Sequence, residues 1–336
     1  MKLPIGPRDI PLCATAAVLV VVCLFGALTY PHFASWAVAR NLLVDNAFLG
    51  VAAIGATFVI LSGGIDLSVG SLMALSATVI ATLVERGGVH PLGAIAGALA
   101  LGAAFGGGQG WLIRVFRLPP FLVTLAGLFL ARGAAFAVHP QSIGVSDPFI
   151  ARTLNETLSV RLPFGERGVV IPCTVFLLAA ALAWAWYVLG HTRFGRSVYA
   201  LGDDAHAAAL MGVPVGRRTV QVYTLAGFMS ALAGVVFVLY QQSGDPAALK
   251  GLELDAIAAV VIGGTLLTGG VGSVIGTFLG VLILGLIQTI ITFQGDLSSW
   301  WTRIVVGGLV LAFLALHRAV EAGVGRALRR IGAPSA

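Results

Sequence analysis

Between Ala256 and Gly295 the chain runs for forty residues without a charged side chain. A helix needs roughly 20 apolar residues to cross a hydrocarbon core about 30 Å thick, so this stretch is too long for one pass and too apolar for water. Gly263, Gly264, Gly269, Gly270 and Gly272 fall in its middle, where their backbone freedom permits a turn. The stretch is therefore expected to turn there and cross twice. The rest of the chain has the same character. Of its 336 residues 58% are hydrophobic and 10% charged, too few charges to coat soluble domains of that size. Its 44 glycines suit helices packed closely within a bilayer.

Charged residues partition the remainder. Uncharged runs cover Ile10 to Ala39, Ala47 to Ile65, Leu67 to Val84, Gly87 to Ile113, Gly168 to Thr192 and Thr219 to Gly244; Pro120 to Val138 carries Arg132 alone, and Trp300 to Leu316 Arg303 alone. The expected architecture is all-α and polytopic, with about ten transmembrane helices broken at Gly-rich turns, forming one membrane domain over residues 1–336. Alternating ten passes places twelve of the 20 Lys and Arg on the side of the termini and six on the other. By the positive-inside rule both termini are cytoplasmic, loop 193–218 is cytoplasmic and loop 139–167 lies outside. The first run lacks a strongly basic start and a small-x-small cleavage site, so it reads as a retained helix.

Several functions are excluded. Lysine occurs only as Lys2 and Lys250, neither preceded by glycine, so no phosphate-cradling loop is present. Cys13, Cys23 and Cys173 lie in apolar runs and the six histidines are scattered singly, so neither a metal site nor a cofactor is expected. The surplus of six positive charges belongs to topology rather than to nucleic-acid binding. No carboxylate pair or Asp-His relay sits inside the spans, which argues against proton coupling.

Three segments carry functional signals. In Leu61 to Ser71 paired glycines break one helix and Asp66 opens the next. Asp66 or Ser68 either caps the following helix or belongs to a broken helix lining a pathway, and the two roles are compatible. In the loop Arg193 to Arg218, Asp203 and Asp204 offer an N-cap, Ala205 to Met211 form helix, and Gly212 with Pro214 stops it. That short apolar helix either lies under the bilayer or docks into a cytoplasmic partner. The outer loop mixes prolines and carboxylates with Arg152, Arg161 and Arg167; it is either a connector or a surface that receives an external protein through these arginines. The cluster Gly263 to Ser273 echoes Gly63 to Ser71 by ending Val-Gly-Ser, too little to establish a repeat.

The stretch Asp45-Asn46-Ala47-Phe48-Leu49-Gly50 through Phe58 to Ser71 resembles permeases of bacterial ribose-type ABC sugar importers, as do Glu253 to Thr265 and Thr192 to Gly202. Asp45 to Gly50, Gly285-Leu286-Ile287-Gln288-Thr289 and Ser298-Ser299-Trp300-Trp301-Thr302 look most like permeases of galactofuranose importers within that family. The resemblance implies a non-catalytic permease in the bacterial inner membrane, assembled with a cytoplasmic ABC ATPase, a second identical or homologous permease and a periplasmic sugar-binding protein, and embedded in lipid. Asp203, Asp204, Ala208, Leu210, Met211 and Gly212 would then couple to the ATPase, and Arg152, Arg161 and Arg167 would dock the binding protein. For a neutral sugar the pathway candidates are the uncharged polar span residues Asn46, Thr57, Gln109, Thr265, Thr268 and Gln288, together with Asp66. The rival reading is an ion-coupled secondary sugar transporter with Asp66 as its only ion-site candidate.

Overall fold

A computed structural model describes residues 10–151, 160–162, 169–295, 300–313 and 315. The helices are α1 (Ile10–Thr29), α2 (Trp36–Asp45), α3 (Ala47–Leu61), α4 (Val69–Glu85), α5 (Pro91–Phe116), α6 (Pro120–Val138), α7 (Cys173–His191), α8 (Arg193–Asp203), α9 (Ala205–Leu210), α10 (Val215–Gln241), α11 (Leu252–Ile262), α12 (Val274–Gln294) and α13 (Trp300–Phe313). Four short strands form two antiparallel ribbons. β1 (Ile143–Gly144) pairs with β4 (Ser243–Gly244), and β2 (Val160–Leu162) with β3 (Val169–Ile171). The all-α polytopic class is as expected.

Each of the ten expected apolar segments holds a helix, but they are not ten equal passes. Among the described residues six helices are long and apolar enough to cross alone, and α2 with α3 makes a seventh when the bent pair is taken as one span. At about 1.5 Å per residue, the 11 residues of α11 cover only ~16 Å, half of the core. The first run also divides earlier than its composition implies. Ser35 accepts a hydrogen bond from the Val38 backbone and starts α2, and α2 meets α3 at a 50° bend on Asn46, whose Nδ2 donates back to the Leu42 carbonyl at 2.8 Å.

The core forms around α3 and α10. Every residue of α3 except Phe48 is buried, as a helix apolar on all sides requires. Against α5, α10 packs backbone to backbone: a Cβ on Gly106 or Gly227 would collide with the main chain of the facing helix. Approach this close is open only to glycine, and it gives extensive dispersion contact where the hydrophobic effect offers no drive between helices. Arg132, the charge inside α6, is satisfied by the carbonyls of Pro246 and Ala248 at 2.8 and 2.7 Å. It pins the segment between β4 and α11 against the bundle.

Candidate functional site

Two polar regions lie at opposite ends of α3, α11 and α12. The first is a vestibule. Asn46 from the α2–α3 bend, Asp255 from α11, Gln288 from α12 and Thr302 and Arg303 from α13 line a cavity of about 260 Å³. A neighbouring cavity of about 350 Å³ shares Asn46, Asp255, Gln288 and Arg303 and adds Asp45, Lys250 and Thr289. Thr302 Oγ1 donates to Gln288 Oε1 at 2.9 Å, and Arg303 Nη1 donates to Asp255 Oδ1 at 3.1 Å. The ion pair cancels its own charge, so the lining is polar but close to neutral. Polar side chains on apolar spans face protein or a water-filled cavity, and here they face one another across an open space.

The second region is a knot of glycine turns. The Gly270 amide donates to the Leu61 carbonyl at 3.0 Å, joining the turn after α11 to the end of α3. Helix α8 closes on both. Tyr199 Oη donates to the Gly272 carbonyl at 3.0 Å, and a Cβ on Gly202 would collide with the Leu61 carbonyl and the Gly270 amide. The two clusters whose sequences echo one another thus sit face to face.

Beside the knot, Asp66 is 4% exposed. Its Oδ1 accepts from the Ser68 amide at 2.8 Å and from Ser68 Oγ at 2.7 Å. This is an Asx turn leading into α4 and corrects the capping expectation. Ser68 is the N-cap residue, but neither Asp66 nor Ser68 bonds the first amides of α4 through its side chain. Thr124 Oγ1 (3.1 Å) and Tyr223 Oη (3.4 Å) donate to the Ile65 carbonyl, fastening the break to α6 and α10. Gln109 Oε1 lies 3.3 Å from Ser68 Oγ.

In the loop between α7 and α10, Asp204 caps α9, accepting at Oδ1 from the amides of His206 (2.8 Å) and Ala207 (3.0 Å). The Ala207 and His206 hydrogen bonds hold its carboxyl below the usual carboxylate range. A depressed folded pKa stabilises the cap above the ordinary carboxylate pKa, and that support is lost as pH falls through the lowered value. Asp203 is not part of the cap; it is the last residue of α8. Ala208 is fully buried, whereas Leu210 and Met211 are 78% and 74% exposed, ahead of Gly212 at φ 83°. The exposed large hydrophobic side chains of this loop are therefore those of the Leu210–Met211 knob. In a background without the native cysteines, Met211→Cys should react with an impermeant thiol reagent applied from the cytoplasm and Ala208→Cys should react slowly from either side. Labelling of Met211→Cys from outside would reverse the topology.

A family model described as the branched-chain amino acid transport system / permease component matches residues 38–314. The chain belongs to this permease family. Inner membrane ABC transporter permease protein YjfF of Escherichia coli (strain K12) is 46% identical over 311 residues, covering 93% of this chain and 92% of the relative. Ribose import permease protein RbsC of the same strain is 39% identical over 88% of this chain and 89% of the relative. Fructose import permease protein FruG of Bifidobacterium longum (strain NCC 2705) is 35% identical over 93% and 92%. No solved structure matches the chain. As a permease component it is a multi-pass membrane protein and carries out no covalent chemistry; ATP hydrolysis belongs to a separate ATPase.

The permease brings together only some of the residues singled out from its sequence. Asn46 and Gln288 share the vestibule, and Asp66 and Gln109 share the buried cluster with Ser68. Thr57 lines neither vestibule cavity: it is buried between α3 and α12, 2.8 Å from Thr277 Oγ1 and bonded to the Ala53 carbonyl. Thr265 is buried against Gly272, and Thr268 is exposed in the turn, both in the glycine knot rather than the vestibule. Arg152 and Arg167 lie outside the described residues, and Arg161 falls in β2 opposite Val170. Asp255, Thr302 and Arg303 were missing from the pathway candidates. The signal was present in the sequence, as Asp255 and Arg303 are rare charges at the edges of apolar runs, but a search for uncharged residues passes over a pair that neutralises itself.

Proposed function

We propose that the permease is the membrane subunit of an ABC importer that carries a neutral monosaccharide across the bacterial inner membrane, with galactose in its furanose form as substrate. The observation that carries the substrate is convergence. The three segments that look most like galactofuranose permeases are distant in sequence, yet each contributes to the vestibule: Asp45 and Asn46 from the first, Gln288 and Thr289 from the second, Thr302 from the third. Full-length similarity to ribose and fructose import permeases supports a sugar over a branched-chain amino acid. Both termini are cytoplasmic in this reading. The partners are a cytoplasmic ATPase, a second permease that closes the open side of the vestibule, and a periplasmic binding protein that delivers the sugar.

The same helices supply the mechanism. Helix α3 runs from Asn46 in the vestibule to Leu61 in the knot, and α11 and α12 run from Asp255 and Gln288 to the turn that holds Gly270. Closure of the ATPase presses the Leu210–Met211 knob, α8 passes the displacement to both turns, and the far ends of three helices reshape the vestibule. In proteoliposomes containing ATPase and binding protein, radiolabelled galactose uptake should be inhibited by methyl galactofuranoside far more than by methyl galactopyranoside, ribose, fructose or leucine. Gln288→Ala, which removes Thr302's partner, should weaken uptake about three- to tenfold, the worth of one hydrogen bond. Inhibition by leucine alone would replace the sugar with an amino acid; inhibition by ribose or fructose alone would keep the importer and change the sugar.

A further inference from the structure

Arg132 of α6 lines neither vestibule cavity. Its Nη1 nevertheless serves two carbonyls, those of Pro246 and Ala248, on the segment 245–251 between β4 and α11. That segment is irregular backbone. Asp245 starts it with an Asx turn, accepting at Oδ1 from the Ala247 amide at 2.8 Å, and Leu249 at φ 63° and Gly251 at φ 85° bend it into α11. For a leucine the left-handed region is strained, and such a conformation persists only where its surroundings hold it. Arg132 supplies that hold from across the bundle. The two N–H groups of one Nη1, each on a carbonyl, fix those carbonyls relative to α6, and Glu253 and Asp245 at either end of the segment attract the guanidinium.

The far end of the segment is vestibule wall. Leu249, Lys250 and Leu252 line the 350 Å³ cavity. Between them, Gly251 lies against a cation of the vestibule itself: a Cβ there would stand 3.1 and 3.3 Å from Nη1 and Nη2 of Arg303. Arg303 lines both cavities and pairs with Asp255. Contact is therefore continuous from α6, through two carbonyls and the turn at Gly251, to the ion pair that keeps the lining neutral. A shift of the segment cannot leave that pair in place, because the backbone at Gly251 and the guanidinium have no space between them.

We propose that Arg132 is a positioning residue for transport: by holding segment 245–251 it sets where Leu249 and Arg303 stand in the vestibule. The proposal rests on the reading of the vestibule as the route of the sugar. Its test is the sugar moved per ATP hydrolysed in proteoliposomes with ATPase and loaded binding protein, using a sugar that the wild-type complex imports. This ratio does not depend on how much of the complex has folded. Arg132→Gln should lower it at least about threefold, and Arg132→Lys, which keeps the charge and its N–H donors, should recover part of the loss. Arg303→Gln should also lower the ratio, and adding Arg132→Gln to it should change little more, because the two residues act in series. In a background without the native cysteines, Leu252→Cys, at a position 7% exposed in the native protein, should react faster with a thiol reagent once Arg132→Gln is present. A wild-type ratio in Arg132→Gln or in Arg303→Gln, losses that multiply in the double variant, or an unchanged thiol rate overturns the proposal. If Arg132→Gln fails to fold, Gly251→Ala replaces it: the methyl displaces the Arg303 guanidinium while both Arg132 bonds remain, so a wild-type ratio there is equally decisive against it. Failure of the wild-type complex to import any sugar removes the underlying reading instead.

Discussion

Gly202→Ala is expected to separate ATP hydrolysis from transport. The added methyl has no space between the Leu61 carbonyl and the Gly270 amide, both of which are main chain and cannot rotate away. Overpacking of this kind costs typically ~1–3 kcal/mol. Applied to one state of a two-state switch, that shifts the equilibrium by about 5- to 150-fold. The turns after α3 and α11 would be forced apart from α8, so the ATPase should still bind and turn over while sugar uptake falls by at least about tenfold. Gly190→Ala is the control, since a Cβ there meets nothing within 4 Å, and it should behave as wild type. Uptake and ATPase rate measured on the same proteoliposomes decide the matter. Wild-type uptake in Gly202→Ala would mean that the knot does not transmit the stroke.

Asp66→Ala should act on stability first. It leaves the Ser68 amide without its acceptor, and the Ser68 hydroxyl with only the longer 3.3 Å contact to Gln109 Oε1, in a site almost closed to water, and an orphaned buried group costs about 1–3 kcal/mol. The yield of monodisperse permease and its thermal midpoint should both drop sharply. Asp66→Asn keeps an acceptor oxygen in the same place, so it should fold nearly as well as wild type. If it then transports poorly, the carboxylate charge has a role in gating beyond the turn it holds. An Asp66→Ala protein with full stability and full uptake would dismiss both roles.

Residue type and near-neighbour spacing specify some features of this chain directly, and long-range packing specifies others. Long apolar runs report helices directly because burying a backbone in hydrocarbon leaves helix as the available form, which is why every expected apolar segment holds one. The Asp204 cap and the Gly212 stop were legible for a related reason: both rest on residues within a few positions of one another. Asp203, one residue away, was misassigned because α8 continues through it, and α8 owes its place to packing against the turns rather than to a local signal. Ala208 and Leu210 are equally apolar in a list of residues; only the direction in which α9 lies on the loop buries one and exposes the other.

The length of a span is where the two kinds of information part. Composition alone determined an all-α membrane chain, the glycine turn after residue 262 and the absence of a nucleotide-binding loop, because each follows from residue type and spacing. That α11 stops after 11 residues, that α2 and α3 bend at Asn46, and that the two glycine clusters meet face to face through Gly202 were decided by the tertiary structure. So was the vestibule, where Asp255 and Arg303 are ordinary edge charges until α11 and α13 bring them to 3.1 Å. Hydrophobic patterning responds to the bilayer, a uniform solvent that treats every segment alike. A polar site is made by the few side chains that distant helices deliver to one place, and that meeting is a property of packing.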